Sequence, residues 1–279
     1  MSLKLKRKIR LILLEVILIM VALVYIYPVF LMFMNSFKSF GEVVSDVIKL
    51  PSTIEWKNYL DIMEKMNYPK LFLNNVIITS IGILGIVIFS SSTAYILDRR
   101  RTKYTKWIYV AIITPMLIPF QTIMITLLKV MSVVNLNGST WGLGIQYWGF
   151  GIPMATFIYF NFMKTIPNEI DESATIDGAS TFKTFVLVIF PLLKSVTATV
   201  IVLDVMWIWN DFLLPLLMVN SSKNTQTLVL SAYTFVGQFN TQWHYAMTAM
   251  VLAVLPSILF FIFLQKYIVE GVVAGAVKG

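Results

Sequence analysis

The 279-residue sequence contains no cysteine and a single histidine, His244. Without cysteine there is neither disulfide nor thiol chemistry, and the redox compartment cannot be read from the chain. One histidine cannot build a His or Cys zinc site, and no carboxylate cluster suggests another metal. No G-x-x-x-x-G-K-[ST] stretch is present, so nucleotide-driven work falls to a different chain. Charge is scarce as well. Only 13% of residues are charged and 58% are hydrophobic, well above the roughly 45–50% apolar share of soluble domains. That balance predicts a protein solvated by lipid, with no soluble domain of any size. A membrane-embedded enzyme is disfavoured, because the chain lacks a nucleophile or ligand set.

What the chain does have is long apolar runs. A helix needs about 20 such residues to cross the hydrocarbon core, and six stretches qualify: 11–34, 73–97, 107–130, 145–163, 195–219 and 244–265. None alternates as a barrel strand would, and backbone groups in lipid must be satisfied within the chain. The expected fold is therefore all-α, an integral membrane bundle of six transmembrane helices. The net charge of +8 does not indicate nucleic acid, because of where it lies. Lys4, Lys6, Arg7, Lys8 and Arg10 precede the first span, and Arg99, Arg100, Arg101, Lys103 and Lys106 fill the loop after the second. Basic residues mark the cytoplasmic side, which puts both termini there. The first outer segment, 35–72, balances five lysines with five acids, and Pro51 with Glu55-Trp56-Lys57-Asn58 predicts short surface helices in it. The first span has no small-residue cleavage site and reads as a retained helix. The domains follow as a basic tail, 1–10, a transmembrane domain, 11–265, with a cytoplasmic loop at 164–194, and a cytoplasmic tail, 266–279. No internal repeat is evident.

Further signals refine this picture. Pro115 and Pro119 inside the third span predict a kink, with Gln121 close to freed carbonyls. Trp141, Tyr147 and Trp148 suit an interfacial aromatic belt, and His244 an interfacial position. The Met-rich composition fits adaptable packing. The loop between spans four and five reads as helix, turn, helix. Pro167 suits a first helical position, and Glu169, Asp171 and Glu172 place negative charge in the first turns. Gly178 fits the left-handed residue that ends a helix, and Ser180 caps the next one. In that second helix Phe182, Phe185, Val186 and Ile189 make one apolar stripe, broken by Pro191.

Glu172-Ser173-Ala174-Thr175-Ile176-Asp177-Gly178, followed at a fixed interval by Val188-Ile189-Phe190-Pro191, resembles the "EAA" loop of ABC-importer permeases. Ser173, Val188 and Phe190 are conservative departures from that pattern. The resemblance extends through Pro119-x-Gln121, Ile166-Pro167, Asp177-Gly178-Ala179, Trp209-Asn210-Asp211 and the ending Tyr267-Ile268-Val269-Glu270-Gly271. It is closest to the carbohydrate-uptake branch and its maltose-type second permease subunit. It implies a type I importer bundle in a bacterial cytoplasmic membrane, importing an oligosaccharide and catalysing nothing itself. Its partners would be a second homologous permease subunit, two cytoplasmic ATPase subunits that bind ATP and Mg, and an extracytoplasmic solute-binding protein. Glu172, Ser173, Ala174, Asp177, Gly178, Ala179 and Pro191 would couple the chain to the ATPases, and the tail after Lys266 is a second element directed at them. A polyol or glycerol-phosphate-type cargo is an alternative, and an ion-coupled secondary transporter is the alternative of a different class.

Solute contacts are sought in span five, which holds the two deep acids, Asp204 and Asp211. Helical spacing puts Asp204, Trp207 and Asp211 on one face, with Asn210 between them. Carboxylates accept from sugar hydroxyls and flat rings cover sugar C–H faces. Gln121 is a further candidate. The alternative is that Asp204 and Asn210 bind helices together while the tryptophans fill space.

Overall fold

The computed structural model describes residues 3–237 and 241–276, with side chains from 7–237 and 241–265. Every regular element among the described residues is a helix. The chain divides into two compact units, Met1–Tyr68 with Ser231–Ala253, and Pro69–Leu230 with Val254–Gly279.

The first unit begins with α1 (Leu3–Asn35), which includes the basic residues of the expected tail. Beyond Glu15 it is apolar on all sides, and its most hydrophobic window buries none of its residues within the chain. The outer segment then folds into α2 (Phe40–Ser45) and α3 (Lys57–Lys65), the short helices expected there. Ser39 and Glu42 close a capping box at the start of α2. Lys38, counted above among balanced outer charges, is instead 1% exposed. Its ammonium donates to the carbonyls of Asp46 (2.9 Å) and Val47 (3.3 Å), partners that a buried charge requires. The Asn58 amide donates to the carbonyls of Ser36 and Lys38 at 3.0 and 2.9 Å, so α3 clamps the same turn. His244 stacks on Tyr245 at 4.0 Å and meets Phe40 edge-on.

The second unit carries α4 (Tyr68–Arg99), α5 (Lys103–Ile113, with a 3-10 turn Thr114–Leu117) and α6 (Phe120–Val133). The expected third span is not a kinked rod but two helices bent by 104°. Pro119 is the cause. Ile118 before it is forced into an extended conformation (φ −91°, ψ 117°), and Pro119 restarts the helix as its N-cap. α7 (Thr140–Met163) starts five residues before the expected span. At 1.5 Å per residue it is roughly 36 Å long, enough for a core about 30 Å thick.

Packing of α7 on α4 corrects the aromatic belt. Tyr147 is fully buried, and the Trp148 indole donates to the Ile81 carbonyl at 2.8 Å. Trp148 also occupies the space beside Gly85, where a Cβ would lie 2.1 Å from the ring. Trp141 alone of the three is largely exposed. The core of this unit joins Ile78, Ile86, Leu143, Tyr159, Ile189 and Leu193.

The expected fifth span is also divided. α10 (Lys194–Asn210) ends at Asn210, and the chain restarts as α11 (Leu213–Met218). In a continuous helix the Pro215 ring would strike the carbonyl of Asp211, which accounts for the break. Asp211 therefore leaves the helical face predicted for it. The second unit also includes α8 (Glu169–Ile176) and α9 (Thr181–Leu192), the latter bent from α10 by 76°. α12 (Leu228–Tyr233) and α13 (Trp243–Ala276) complete the helices. The tail expected to reach an ATPase lies outside the residues whose side chains are described.

Candidate functional site

The elbow between α7 and α10 begins later than predicted. Pro167 stands outside the helix, Asn168 is the N-cap, and α8 starts at Glu169 with Glu169, Asp171 and Glu172 in its first turn. Asn168 does not cap with its side chain, because its Oδ1 accepts from Arg99 at 2.9 Å. The end of α8 is closed by backbone alone. Gly178 N–H donates to the Thr175 carbonyl at 3.0 Å and Ala179 N–H to the Ala174 carbonyl at 2.9 Å. This paired closure requires a left-handed residue, and Gly178 has φ +81°. Ser180 then accepts from Lys183 N–H and starts α9, as its sequence position indicated.

The stripe predicted for α9 does not form. Its centre, Thr184–Ile189, is a π-turn in which Phe190 N–H donates to the Phe185 carbonyl. Pro191 can neither donate to the Leu187 carbonyl nor pass it without a clash, so the wider turn precedes it. The extra residue per turn rotates the pattern. Ile189 is buried and Phe185 half-buried, while Phe182 and Val186 are exposed.

The residues that fix the elbow were missed by sequence reading. Asp171 accepts from the Tyr95 hydroxyl at 2.7 Å and from Arg99 Nε at 2.9 Å. Arg99 was read as a loop charge, yet it is the last residue of α4, with its side chain 11% exposed. Its other nitrogens reach Asn168, the Ile166 carbonyl and Asp98. Ala174 is buried, while Glu172, Ser173, Asp177, Gly178 and Pro191 are exposed and Ala179 is half-buried. Ile176 and Phe182 are 86% and 75% exposed, so both helices of the elbow display a large apolar side chain.

A second feature lies at the two helix breaks. A cavity of about 200 Å³ is lined by Phe120, Gln121, Phe150, Trp207, Asp211, Leu213 and Leu214. Another, of about 260 Å³, shares Phe120, Phe150 and Trp207 with it. Asp211 is held there by the Tyr147 hydroxyl, which donates to Oδ2 at 2.9 Å, and by Leu213 N–H, which donates to Oδ1 at 3.1 Å. Gln121 donates its amide to no protein group among the described residues. Asn210 and Asp204 are not in the lining. Asn210 donates to the Met206 carbonyl at 2.8 Å and accepts from the Ser257 hydroxyl at 3.1 Å, a link between α10 and α13. Asp204 is buried, with no hydrogen-bond partner for Oδ2 among the described residues.

The sequence profile described as "Binding-protein-dependent transport system inner membrane component" matches residues 86–273. The chain belongs to this family. The permease is 39% identical over 260 residues to the "Probable starch degradation products transport system permease protein AmyC" of Thermoanaerobacterium thermosulfurigenes, covering 93% of this chain and 94% of that one. It is 34% identical over 261 residues to the "Melibiose/raffinose/stachyose import permease protein MelC" of Bacillus subtilis, with the same coverages. Its fold matches a chain from the crystal structure of a bacterial ABC transporter involved in the import of the acidic polysaccharide alginate. The TM-score is 0.80 at 21% identity, over 94% of this chain and 97% of that one. The permease is thus the membrane-embedded component of an ABC importer, and the elbow lies within its matched segment.

Replacing Gly178 tests the elbow's construction. A Val there has open space but not the required φ, a strain of about 1–2 kcal/mol for a left-handed non-glycine residue. Hydrogen exchange across 174–184 in the Gly178→Val permease should accelerate, with exchange in α4 unchanged. Parental protection in 174–184 would mean that the turn does not depend on glycine.

Proposed function

We propose that the permease imports an oligosaccharide and hydrolyses nothing itself. It works with a second, similar permease subunit, two ATPase subunits that bind ATP and Mg, and an extracytoplasmic solute-binding protein. The observation that carries this reading is the elbow: a short helix with a glycine-closed end, anchored on α4 and presenting exposed Ile176 and Phe182. Apolar side chains displayed on a rigid connector call for a protein partner. Glu172, Ser173, Asp177, Gly178, Ala179 and Pro191 form that docking face and its hinge, with Ala174 buried behind it. The sugar class is supported by what the starch-product and melibiose-type relatives are named for, and by the cavity beside Asp211. A carboxylate, the free Gln121 amide and the rings of Trp207, Phe120 and Phe150 together match a carbohydrate's alternating hydroxyl and C–H surfaces. Asp204 joins the pathway on a different ground, as an acid in a membrane helix with an oxygen that no protein donor reaches among the described residues.

The bilayer arrangement we infer is six spans in the cytoplasmic membrane with both termini inside. Three helices are long and apolar enough to cross, or up to five if each bent pair is one span; we take α7, 24 residues long, as the sixth. Because the chain lacks cysteine, single cysteines report sidedness directly. Lys49→Cys and Lys223→Cys should react with an impermeant maleimide added outside cells, and Lys183→Cys only after permeabilisation. Outside labelling of Lys183→Cys would overturn the arrangement.

Function is tested with the complete importer in proteoliposomes, supplied with ATP inside and a panel of oligosaccharides with the binding protein outside. Asp211→Asn keeps an acceptor for Leu213 N–H but removes the charge. Uptake at low solute should fall about tenfold, as for roughly 1.4 kcal/mol of lost charge-assisted hydrogen bonding. Parental uptake at every solute concentration would remove Asp211 from the pathway. Accumulation of a polyol or glycerophosphate with no oligosaccharide would overturn the sugar reading.

A further inference from the structure

A third cavity lies beside the elbow's anchor, where Asp98 in its lining accepts from Arg99. It holds about 580 Å³ between the end of α4, the start of α5 and the end of α7. Val110, Tyr109 and Phe160 line it, the two rings packed with centroids 4.3 Å apart. Arg101, Lys106 and Lys164 line it as well, together with the Asp98 carboxylate. The local charges do not cancel. Asp98 pairs with both Arg99 (2.7 Å) and Arg101 (2.9 Å) and Asp171 with Arg99 (2.9 Å), so these two arginines are matched by two carboxylates. Among the described residues, no carboxylate forms an ion pair with Lys106 or Lys164. Lys164 is nevertheless positioned, with its ammonium 4.3 Å from the centre of the Phe160 ring and donating to Asn161 Oδ1 at 3.2 Å.

The cleft therefore offers two uncompensated ammonium groups together with aromatic and aliphatic side chains. It sits where α4 and α7 end and α5 begins, which in the six-span arrangement inferred above is the level of the lipid headgroups. A soluble anion would match the charge and leave the apolar side chains unused, whereas a neutral lipid would match those side chains and leave the charge unanswered. We propose that this cleft binds the headgroup of an anionic phospholipid. The phosphate lies between Lys106 and Lys164, and the first part of an acyl chain runs along Val110, Tyr109 and Phe160. Arg101 closes the headgroup end while remaining paired with Asp98. The lipid would brace the α4–α5 turn next to Arg99, the residue that anchors the elbow. The inference rests on these helices spanning a bilayer and is independent of the solute.

The test uses the purified importer complex, extracted from vesicles of phosphatidylcholine mixed with phosphatidylglycerol, with retained lipids counted by native mass spectrometry. The parental complex should retain phosphatidylglycerol in preference to phosphatidylcholine. Lys106→Gln with Lys164→Gln should retain at least one fewer phosphatidylglycerol per complex. Val110→Trp, which fills the cleft and leaves every charge in place, should do the same. Lys8→Gln with Arg10→Gln, on α1, should match the parental count. Unchanged retention in the lysine pair or in Val110→Trp would overturn the proposal, as would displacement of the lipid by excess inorganic phosphate. Co-purified ATPase is measured in the same samples. Its absence beside normal lipid retention counts against the importer assembly and not against the cleft.

Discussion

The Asp171 carboxylate, held between the Tyr95 hydroxyl and the Arg99 guanidinium, is the contact on which the elbow depends. α8 has only eight residues, below the roughly 12–15 at which an isolated helix becomes marginally stable. Its position therefore comes from tertiary contacts. Charge-assisted hydrogen bonds contribute about 1.5–3 kcal/mol each, more than the capping or propensity terms available to so short a helix. Because Arg99 ends α4, the clamp ties the elbow to the end of a long membrane helix. In the proposed coupling, a push on the elbow would therefore reach α4 directly.

A second constraint comes from lipid, which cannot hydrogen-bond the backbone groups freed where helices break. The chain satisfies them internally. At the break after α10 the Asn75 amide donates to the Trp209 carbonyl at 3.3 Å, and Asp211 accepts from Leu213 N–H. Cavities open at these breaks because the side chains there no longer follow a continuous helical surface. Prolines placed for geometry thus also create the polar, ring-lined space proposed for the solute.

Much of this was legible where a local rule decides the outcome. The left-handed turn at Gly178 and the cap at Ser180 follow from backbone sterics and side-chain reach within a few residues. The disturbance at Pro119 was legible, but its size was not, because a proline forbids one hydrogen bond without stating how far the chain turns. Pro215 carried the same signal for the break at Asp211 and was overlooked within an apolar run. Tyr147 and Trp148 were misassigned because their amphipathic rings suit a membrane interface and a buried helix contact equally. The clamp was not legible at all, since Arg99 and Asp171 lie far apart in sequence and each already had a local explanation. Charge near a membrane helix end and an acid in a first helical turn concealed a tertiary pair.

The most direct measurement of the central claim is a double-mutant cycle on Arg99 and Asp171, read as solute-stimulated ATP hydrolysis by the assembled complex. Arg99→Gln and Asp171→Asn should each lower stimulation, and the double variant should be no worse than the poorer single one. The coupling expected for a contact that transmits the motion is about 1.5–3 kcal/mol. Independent, additive losses, or parental stimulation in both single variants, would contradict the account.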